Sequence, residues 1–192
     1  MLLYKCFVNL ELFVKSDLLR LQKEMVCAIQ KGHTGFFNTS DIAYWVKKSS
    51  RDALTLFIHN AIKAGVLERV CKGVYVVSIF KPSGEGTLEA LAKKIRSDYF
   101  VYVTAETELS RLGVISQLTM GYLTAMTNGR SGVFKTSFGT VEFTHTKKNI
   151  HAVMDDIWYD TDTGIHRARE ALALRDLKRI GRNVGMLNEG LE

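Results

Sequence analysis

Two helix-start signals, followed by a glycine and two β-type runs, occupy residues 38–79 and restrict the folds open to this chain. Asn38 or Thr39 can cap a first helix, because Asn and Thr side chains accept hydrogen bonds from free N–H groups at a helix start. Asp41 adds a negative charge in the first turn, where the helix dipole favours it. The polar segment 47–50 then predicts a tight turn into a second helix.

The second helix is predicted to begin with a capping box between Ser49 and Asp52. Gly65 can adopt the left-handed conformation that ends a helix. Leu56 falls between the polar and apolar faces, and we expect it to pack against a neighbouring element. The apolar side chains that recur at three- and four-residue steps are Leu54, Phe57, Ile58, Ala61 and Ile62.

A β-hairpin follows this helix, with strands predicted over Val66–Val70 and Val74–Ile79 and a connection through Cys71–Gly73. A further helix is predicted from Ser16 to about Lys31, whereas periodicity leaves Leu2–Val14 open between a strand and a helix. A helix pair followed by a hairpin is the arrangement of a winged helix-turn-helix, which presents a polar helix face and a basic hairpin tip to DNA.

The residues expected to contact DNA lie on the second helix, in the turn before it and on the hairpin. Arg and Asn are the usual readers of guanine and adenine, and hydroxyl and ammonium groups at a helix start suit phosphates. The predicted base-reading residues are Arg51, Thr55, His59 and Asn60, with Lys63 on the same face. The predicted phosphate contacts are Lys47, Lys48, Ser49 and Ser50, and the predicted wing contacts are Arg69 and Lys72.

The distribution of charge agrees with this interpretation. The chain has 192 residues and a net charge of +6. Residues 1–80 hold 11 Lys and Arg against 6 Asp and Glu, whereas residues 81–192 hold 15 against 14. Excess positive charge in one segment is used to neutralise phosphates, although ordinary solubilising surface is the alternative explanation.

Pro82, the single proline of the chain, lies in the linker-like segment 81–86, so we predict domains over residues 1–80 and 87–185. The second domain is predicted to be α+β, and the predicted fold class of the whole chain is therefore α+β. Its predicted helices span 87–97, 104–111 and 167–182, and its predicted strands span 99–103, 122–126, 133–138, 140–146, 153–159 and 165–168. The last helix would form a second basic surface with Arg167, Arg169, Arg175, Lys178, Arg179 and Arg182.

The run Ala64–Tyr75, which contains Leu67-Glu68-Arg69 and Lys72-Gly73-Val74-Tyr75, resembles the end of the winged-helix domain of AbiEi antitoxins. The order of elements in the second domain and the segment Ala173–Leu177 are similar to the C-terminal region of that family. The resemblance covers roughly residues 17–185. The family often has Pro-Glu just before the last helix, whereas here Arg169-Glu170 stands without proline and one place off.

This resemblance implies a type IV toxin–antitoxin system of the abortive-infection kind. It implies that the winged domain represses its own operon, on an operator with inverted repeats, and that the C-terminal domain carries antitoxin activity. The implied partner is a toxin that resembles nucleotidyltransferases. The resemblance does not fix whether the chain acts as a monomer or a dimer.

The sequence gives little support to catalysis or cofactor binding. Asp160 and Asp162 could suggest a metal site with Asp155 and Asp156, but they lack the remaining ligands of a calcium loop. No phosphate-binding loop, zinc spacing or nucleophile motif is found, so we predict no enzyme, no cofactor and no metal. Three widely spaced cysteines and the lack of signal-peptide features predict a cytoplasmic protein without membrane partners.

The sequence therefore predicts an antitoxin that also represses its operon by sequence-specific binding to double-stranded DNA. One alternative is a winged-helix regulator unrelated to toxins, whose second domain binds a ligand or mediates oligomerisation. Another is an enzyme that processes nucleic acid and uses the winged domain for targeting.

Overall fold

The fold is mixed α+β, with six α-helices and two β-sheets in the described part of the chain. The structure is a computed structural model that describes residues 2–48, 50–116, 120–148 and 150–181. The chain divides into two compact units, Met1–Pro82 and Ser83–Glu192, and each has a hydrophobic core of its own. Within the described ranges, none of the helices combines the length and the apolarity that a membrane crossing requires.

The first unit has three helices: α1 (Leu2–Gln30), α2 (Thr39–Val46) and α3 (Arg51–Lys63). The prediction that a helix begins at Ser16 is wrong, because α1 runs continuously from Leu2. No Gly or Pro interrupts this stretch, and Asp17 does not cap a helix. Its buried carboxylate instead forms ion pairs with Arg20 at 3.1 Å and with Lys48 at 2.8 Å.

The sheet of the first unit contains β1 (Phe37–Asn38), β2 (Leu67–Cys71) and β3 (Val74–Val77) in the antiparallel order β1-β3-β2. The predicted hairpin is confirmed, with β3 ending two residues earlier than expected. We did not predict β1, which is too short to show a pattern. It pairs Phe37 with Tyr75, and all four residues of the central strand β3 are buried.

The core of the first unit is formed by the inner faces of its helices against this sheet. Phe57, Ile58 and Ala61 of α3 are buried there, and Leu54 and Ile62 pack against the same cluster. The predicted apolar stripe is therefore confirmed. Burial of each large side chain contributes about 1.5–3 kcal/mol to folding, which fixes the rotation of α3 about its own axis. The same rotation directs its polar side outward.

The second unit combines three helices with a six-stranded sheet. The helices are α4 (Thr87–Ile95), α5 (Ala105–Arg111) and α6 (Glu170–Ile180). The strands are β4 (Val101–Val103), β5 (Tyr122–Thr127), β6 (Gly132–Thr136), β7 (Gly139–His145), β8 (Ile157–Asp160) and β9 (Ile165–Ala168). Their order is β6-β7-β5-β4-β9-β8, in which β4 and β9 are parallel, β5 and β7 are parallel, and the other neighbours are antiparallel.

Three predictions for the second unit are corrected in detail. The strand predicted over 153–159 begins only at Ile157, because residues 150–152 and 154–156 form short 3-10 helices. The last helix begins at Glu170 rather than near Arg167, which belongs to β9. Thr104 precedes α5 as expected, but its side chain makes no capping hydrogen bond.

Candidate nucleic-acid interface

The first helix of the candidate interface is fixed by the cap that the sequence predicts. The side chain of Asn38 accepts a hydrogen bond from the backbone N–H of Asp41 at 2.9 Å. The Asp41 carboxylate accepts one in return from the Asn38 N–H at 2.8 Å, which completes a capping box. Two of the N–H groups left free at the start of α2 are thereby satisfied, so this end of the helix is well defined.

The start of α3 differs from the prediction by one residue. Ser50 is the cap, and its hydroxyl accepts a hydrogen bond from the Ala53 N–H at 3.1 Å. The predicted capping box between Ser49 and Asp52 is therefore wrong, and Ser49 itself lies outside the described residues. Asp52 occupies the first turn and is exposed, so its carboxylate is available to a partner as well as to the helix dipole.

The outer side of α3 carries most of the predicted base-reading residues. The exposed residues of this side are Arg51, Asp52, Thr55, Leu56, His59 and Lys63. Asn60 is half-buried at the border of the face. The prediction that Leu56 packs against a neighbour is wrong, since 62% of its surface is exposed. The face therefore combines two cations, a carboxylate and an imidazole with an aliphatic side chain.

The hydroxyl of Thr55 is used within its own helix. Its Oγ1 donates a hydrogen bond to the Arg51 carbonyl oxygen at 2.9 Å, one helical turn back. A hydroxyl that is used in this way is less available to a base edge. Leu56 therefore remains as an exposed apolar side chain on a charged helix face.

The two lysines of the turn between α2 and α3 differ in their surroundings. Lys47 ends α2 in the left-handed conformation, with φ of 52°, and its side chain is exposed. Lys48 is half-buried, because its ammonium group is paired with Asp17 at 2.8 Å and lies 5.5 Å from the centre of the Phe57 ring. Lys47 is therefore better placed than Lys48 to contact a phosphate.

The hairpin of β2 and β3 carries the two predicted wing residues at its free end. Lys72 is exposed in the turn, next to Gly73, whose φ of 81° is the left-handed conformation that glycine favours. Arg69 is also exposed, and its guanidinium lies 5.7 Å from the centre of the Tyr75 ring. A bulge between Arg69 and Cys71 increases the local twist of the strand.

The second unit contains a buried ionic cluster around Arg167, which was predicted to lie on an exposed helix. Its guanidinium donates to Asp160 at 2.7 Å, to Glu89 at 2.8 Å and to Glu108 at 3.1 Å. Glu108 is fully buried and also binds Arg111. Burial works to lower the pKa of Arg167, but its hydrogen bonds to the carboxylates outweigh burial and raise it.

Asp160 is one of the carboxylates of this cluster, and its pKa is also shifted. Burial works to raise its pKa, but hydrogen bonds from Thr163 and Arg167 lower it to about 2. The Asp160 side chain is thus committed to an ion pair instead of the metal site considered from the sequence. In the described ranges, no cluster of three or more His, Cys, Asp or Glu side chains is arranged to hold a metal ion.

A second buried polar cluster lies between β4 and α6. The Tyr102 hydroxyl and the Thr104 hydroxyl donate to one oxygen of Asp176, at 3.0 and 2.9 Å. Burial raises the pKa of Asp176 in spite of these hydrogen bonds, and it also raises the pKa of Tyr102. The cluster attaches α6 to the sheet, which explains why Thr104 does not cap α5.

The other basic residues of the last helix are only partly available to a partner. Arg175 is paired with Asp156, and Arg179 donates to the backbone oxygen of His145 at 3.2 Å. Lys178 is exposed, Arg169 is exposed just before the helix, and Arg182 lies outside the described residues. The predicted second basic surface is therefore weaker than the sequence suggests, because Arg167 is absent from it.

A comparison with known proteins finds no family model that matches this chain and no significantly similar relative among characterised proteins.

Proposed function

We propose that the first unit is a winged helix-turn-helix that binds double-stranded DNA in a sequence-specific manner. The observation that supports this most is the exposed, mainly polar side of α3, combined with a hairpin that carries exposed Arg69 and Lys72. The element order α1-β1-α2-α3-β2-β3 and the sheet order β1-β3-β2 also support this proposal. Helices α2 and α3 are separated by four residues, as in a helix-turn-helix.

In this proposal α3 lies in the major groove and supplies the choice of sequence. Arg51 and His59 donate to base edges, and Asp52 accepts from a base amino group. Lys47, Lys63 and the wing cations neutralise phosphates, which supplies most of the affinity but little sequence choice. Occupancy of an operator in this way blocks transcription.

The biological role proposed here is that of an antitoxin that represses its own type IV toxin–antitoxin operon. The resemblance of residues 17–185 to AbiEi antitoxins supports this role, and with it a nucleotidyltransferase-like toxin as the partner of the second unit. Co-expression with such a toxin gene from the same operon tests the role. We expect the full chain to restore growth, and a chain truncated after residue 83 to lose that protection.

DNA binding is tested by a mobility-shift assay on the duplex directly upstream of the gene for this chain. We expect a discrete complex that an excess of unrelated duplex does not remove. Binding to both duplexes with equal affinity would contradict the sequence-specific function, and absence of binding at low salt would contradict DNA binding altogether.

Replacement of Arg51 by alanine is expected to weaken binding to the preferred duplex by about 1–3 kcal/mol, because a bidentate contact to a base is lost. Binding to random duplex should change much less. Lys23→Ala, which removes an exposed cation from α1, is the matched control. Equal losses on both duplexes, measured by fluorescence anisotropy, would make Arg51 a phosphate contact instead.

Leu56 is expected to contact the methyl group of a thymine, since it is exposed in the middle of the DNA-facing side of α3. Leu56→Ala should weaken binding to the preferred duplex about two- to tenfold, the scale of one or two buried methyl groups. Replacement of the contacted thymine by deoxyuridine, which lacks this methyl, should weaken the wild-type complex equally and the variant complex hardly at all. Independent effects of the two changes would exclude the contact.

A further inference from the structure

Two adjoining clefts lie at one end of the second unit's sheet and share the side chain of Tyr99. The first cleft has a volume of about 260 Å³, and Lys93, Phe100, Tyr159 and His166 are among its lining residues. The second has a volume of about 420 Å³, and its lining includes Gly129, Arg130 and His145. Neither the proposed DNA interface nor the ionic cluster around Arg167 uses these residues.

Tyr99 is held as a fixed flat surface between the two clefts. A Cβ added to Gly129 would lie 2.9 Å from Cγ of Tyr99 and 3.1 Å from both Cδ atoms, so the ring rests face-down on the glycine backbone. The backbone N–H of Tyr99 donates to the Arg96 oxygen at 3.0 Å, which holds the segment in place. Since 51% of Tyr99 is exposed, the opposite face of the ring is open to a ligand.

The far wall of the first cleft is also aromatic. The His166 ring lies 5.3 Å from the Phe100 ring and 5.1 Å from the Tyr159 ring, measured between centroids. Tyr159 is 52% exposed. Burial lowers the pKa of His166, and the charge of Lys93 lowers it further, so the imidazole is neutral at neutral pH. A planar apolar group can therefore stack on this wall.

The clefts are positively charged, and the described residues that line them include no Asp or Glu. Lys93 and Arg130 are exposed, and within the described residues neither forms an ion pair. Arg96 has a structural part, because it donates to the Arg130 oxygen at 2.8 Å and covers the Phe134 ring. Asp98 is exposed and lines neither cleft, although its carboxylate accepts a hydrogen bond at 3.4 Å from Ser97, which lines the first cleft. An anionic group would therefore meet cations without a competing carboxylate.

We propose that this surface binds a nucleotide, with the base stacked on the open face of Tyr99 and the phosphate held by Lys93 or Arg130. Aromatic faces bordered by cations are the arrangement with which proteins bind single-stranded nucleic acid, because every base has a flat face and every linkage carries a charge. An acidic peptide would use the cations but would leave the fixed ring face without a partner. The proposal does not depend on duplex binding by the first unit.

The ligand can be a free nucleotide or a nucleotide within a strand, and one experiment separates the two sources. Fluorescence anisotropy measures the binding of the full chain to labelled five-nucleotide single strands of RNA and DNA, with AMP and UMP as competitors. Competition by the mononucleotides at concentrations similar to those of unlabelled strand indicates a free nucleotide as the ligand. Competition by the strand alone indicates a strand that crosses both clefts. Either result supports the proposed chemistry.

The variants test the ring and the cation separately. We expect Tyr99→Ala to weaken binding at least about fivefold and Tyr99→Trp to retain it, because stacking tolerates any flat ring. Gly129→Ala should also weaken binding. The tyrosine remains in this variant, but the new methyl group displaces its ring. Lys93→Gln or Arg130→Gln, whichever removes the cation that holds the phosphate, should weaken binding and reduce the salt slope by about 0.7. Lys178→Gln, on an exposed site of α6, is the charge control.

An unchanged melting temperature of the second unit in every variant, followed by circular dichroism, serves as the folding control. The proposal is overturned if the full chain binds neither strands nor mononucleotides at low salt, or if Tyr99→Ala and Lys93→Gln bind them like the wild type. Binding of an acidic peptide that is lost in these variants, without any nucleotide binding, would also overturn it and would indicate a protein partner for this surface.

Discussion

Replacement of Arg167 by alanine is expected to lower the free energy of unfolding of the second unit by about 3–5 kcal/mol. The guanidinium binds Asp160, Glu89 and Glu108, and its loss leaves these carboxylates close together without their shared cation. Thermal unfolding followed by circular dichroism should show a fall in the melting temperature of at least about 10 °C. The large effect follows because the charges are largely buried.

Arg111→Ala is the matched control, since Arg111 also binds Glu108 but 43% of its side chain is exposed. A partly exposed ion pair contributes little to stability, so we expect Arg111→Ala to lower the free energy of unfolding by about 1 kcal/mol or less. Equal effects of the two substitutions would contradict the assignment of Arg167 as the centre of the buried cluster.

The stability difference between the wild type and Arg167→Ala should depend on pH, because Asp160 belongs to the cluster. In the wild type, the low pKa of Asp160 means that its stabilising contribution is complete above about pH 4 and is lost as the pH falls towards 2. In Arg167→Ala, Asp160 loses one of the hydrogen bonds that lower its pKa, so its pKa rises. The difference in the free energy of unfolding between the two proteins should therefore shrink as the pH falls from about 4 towards 2, and a constant difference would contradict this role of Arg167.

Simultaneous replacement of Lys47, Lys63, Arg69 and Lys72, the four proposed phosphate contacts, by glutamine is expected to produce the largest loss of DNA affinity. Each phosphate contact contributes about 0.9 to the slope of log K against log salt, so the slope should fall by about 3 to 4 if all four cations are used. At 50 mM salt this corresponds to a loss of about three orders of magnitude or more. Anisotropy titrations between 50 and 300 mM salt measure the slope.

The control for this variant is the double substitution Lys23→Gln and Lys31→Gln, which removes exposed cations from elsewhere in the first unit. We expect the control to leave the slope unchanged within about 0.5. A similar fall in slope for both variants would indicate a diffuse electrostatic attraction of the whole unit instead of an interface at α3 and the wing.

The local features of the first unit could be predicted because they depend on residues close together in the sequence. The Asn38 cap, the buried stripe around Phe57 and Ile58, and the glycine end of α3 are confirmed in their positions. The hairpin is also confirmed, since its strands and its Lys72–Gly73 turn are contiguous. The capping box predicted at Ser49 is wrong by one residue, because Ser50 carries the same hydroxyl group and caps the helix instead.

The features that were missed depend on partners distant in sequence. Lys48 looks like any turn lysine until Asp17, 31 residues earlier, is placed beside it. The sequence predicts Arg167 as part of a basic helix, because its partners Glu89 and Glu108 lie far from it in the sequence. The parallel pairing of β4 with β9 joins strands about 60 residues apart, and no local pattern encodes such a pairing.

For the candidate site, the sequence predicts which residues are exposed better than it predicts the conformations and contacts of their side chains. Arg51, His59, Lys63, Arg69 and Lys72 lie exposed as the helical and hairpin patterns require. The inward hydrogen bond of Thr55 and the exposure of Leu56 depend on the exact rotation and side-chain conformations of α3. Periodicity determines which face of a helix is buried, but not which borderline residue remains outside.

Site-specific photocrosslinking tests the proposed DNA-binding surface most directly. A photoreactive amino acid is placed in the full chain at position 59 on α3, at position 72 on the wing, or at position 178 on α6 as a control. On the duplex upstream of the gene, positions 59 and 72 should crosslink to neighbouring nucleotides within one footprint, and position 178 should not. Crosslinks from position 178 alone, with none from positions 59 and 72, would contradict DNA binding through α3 and the wing.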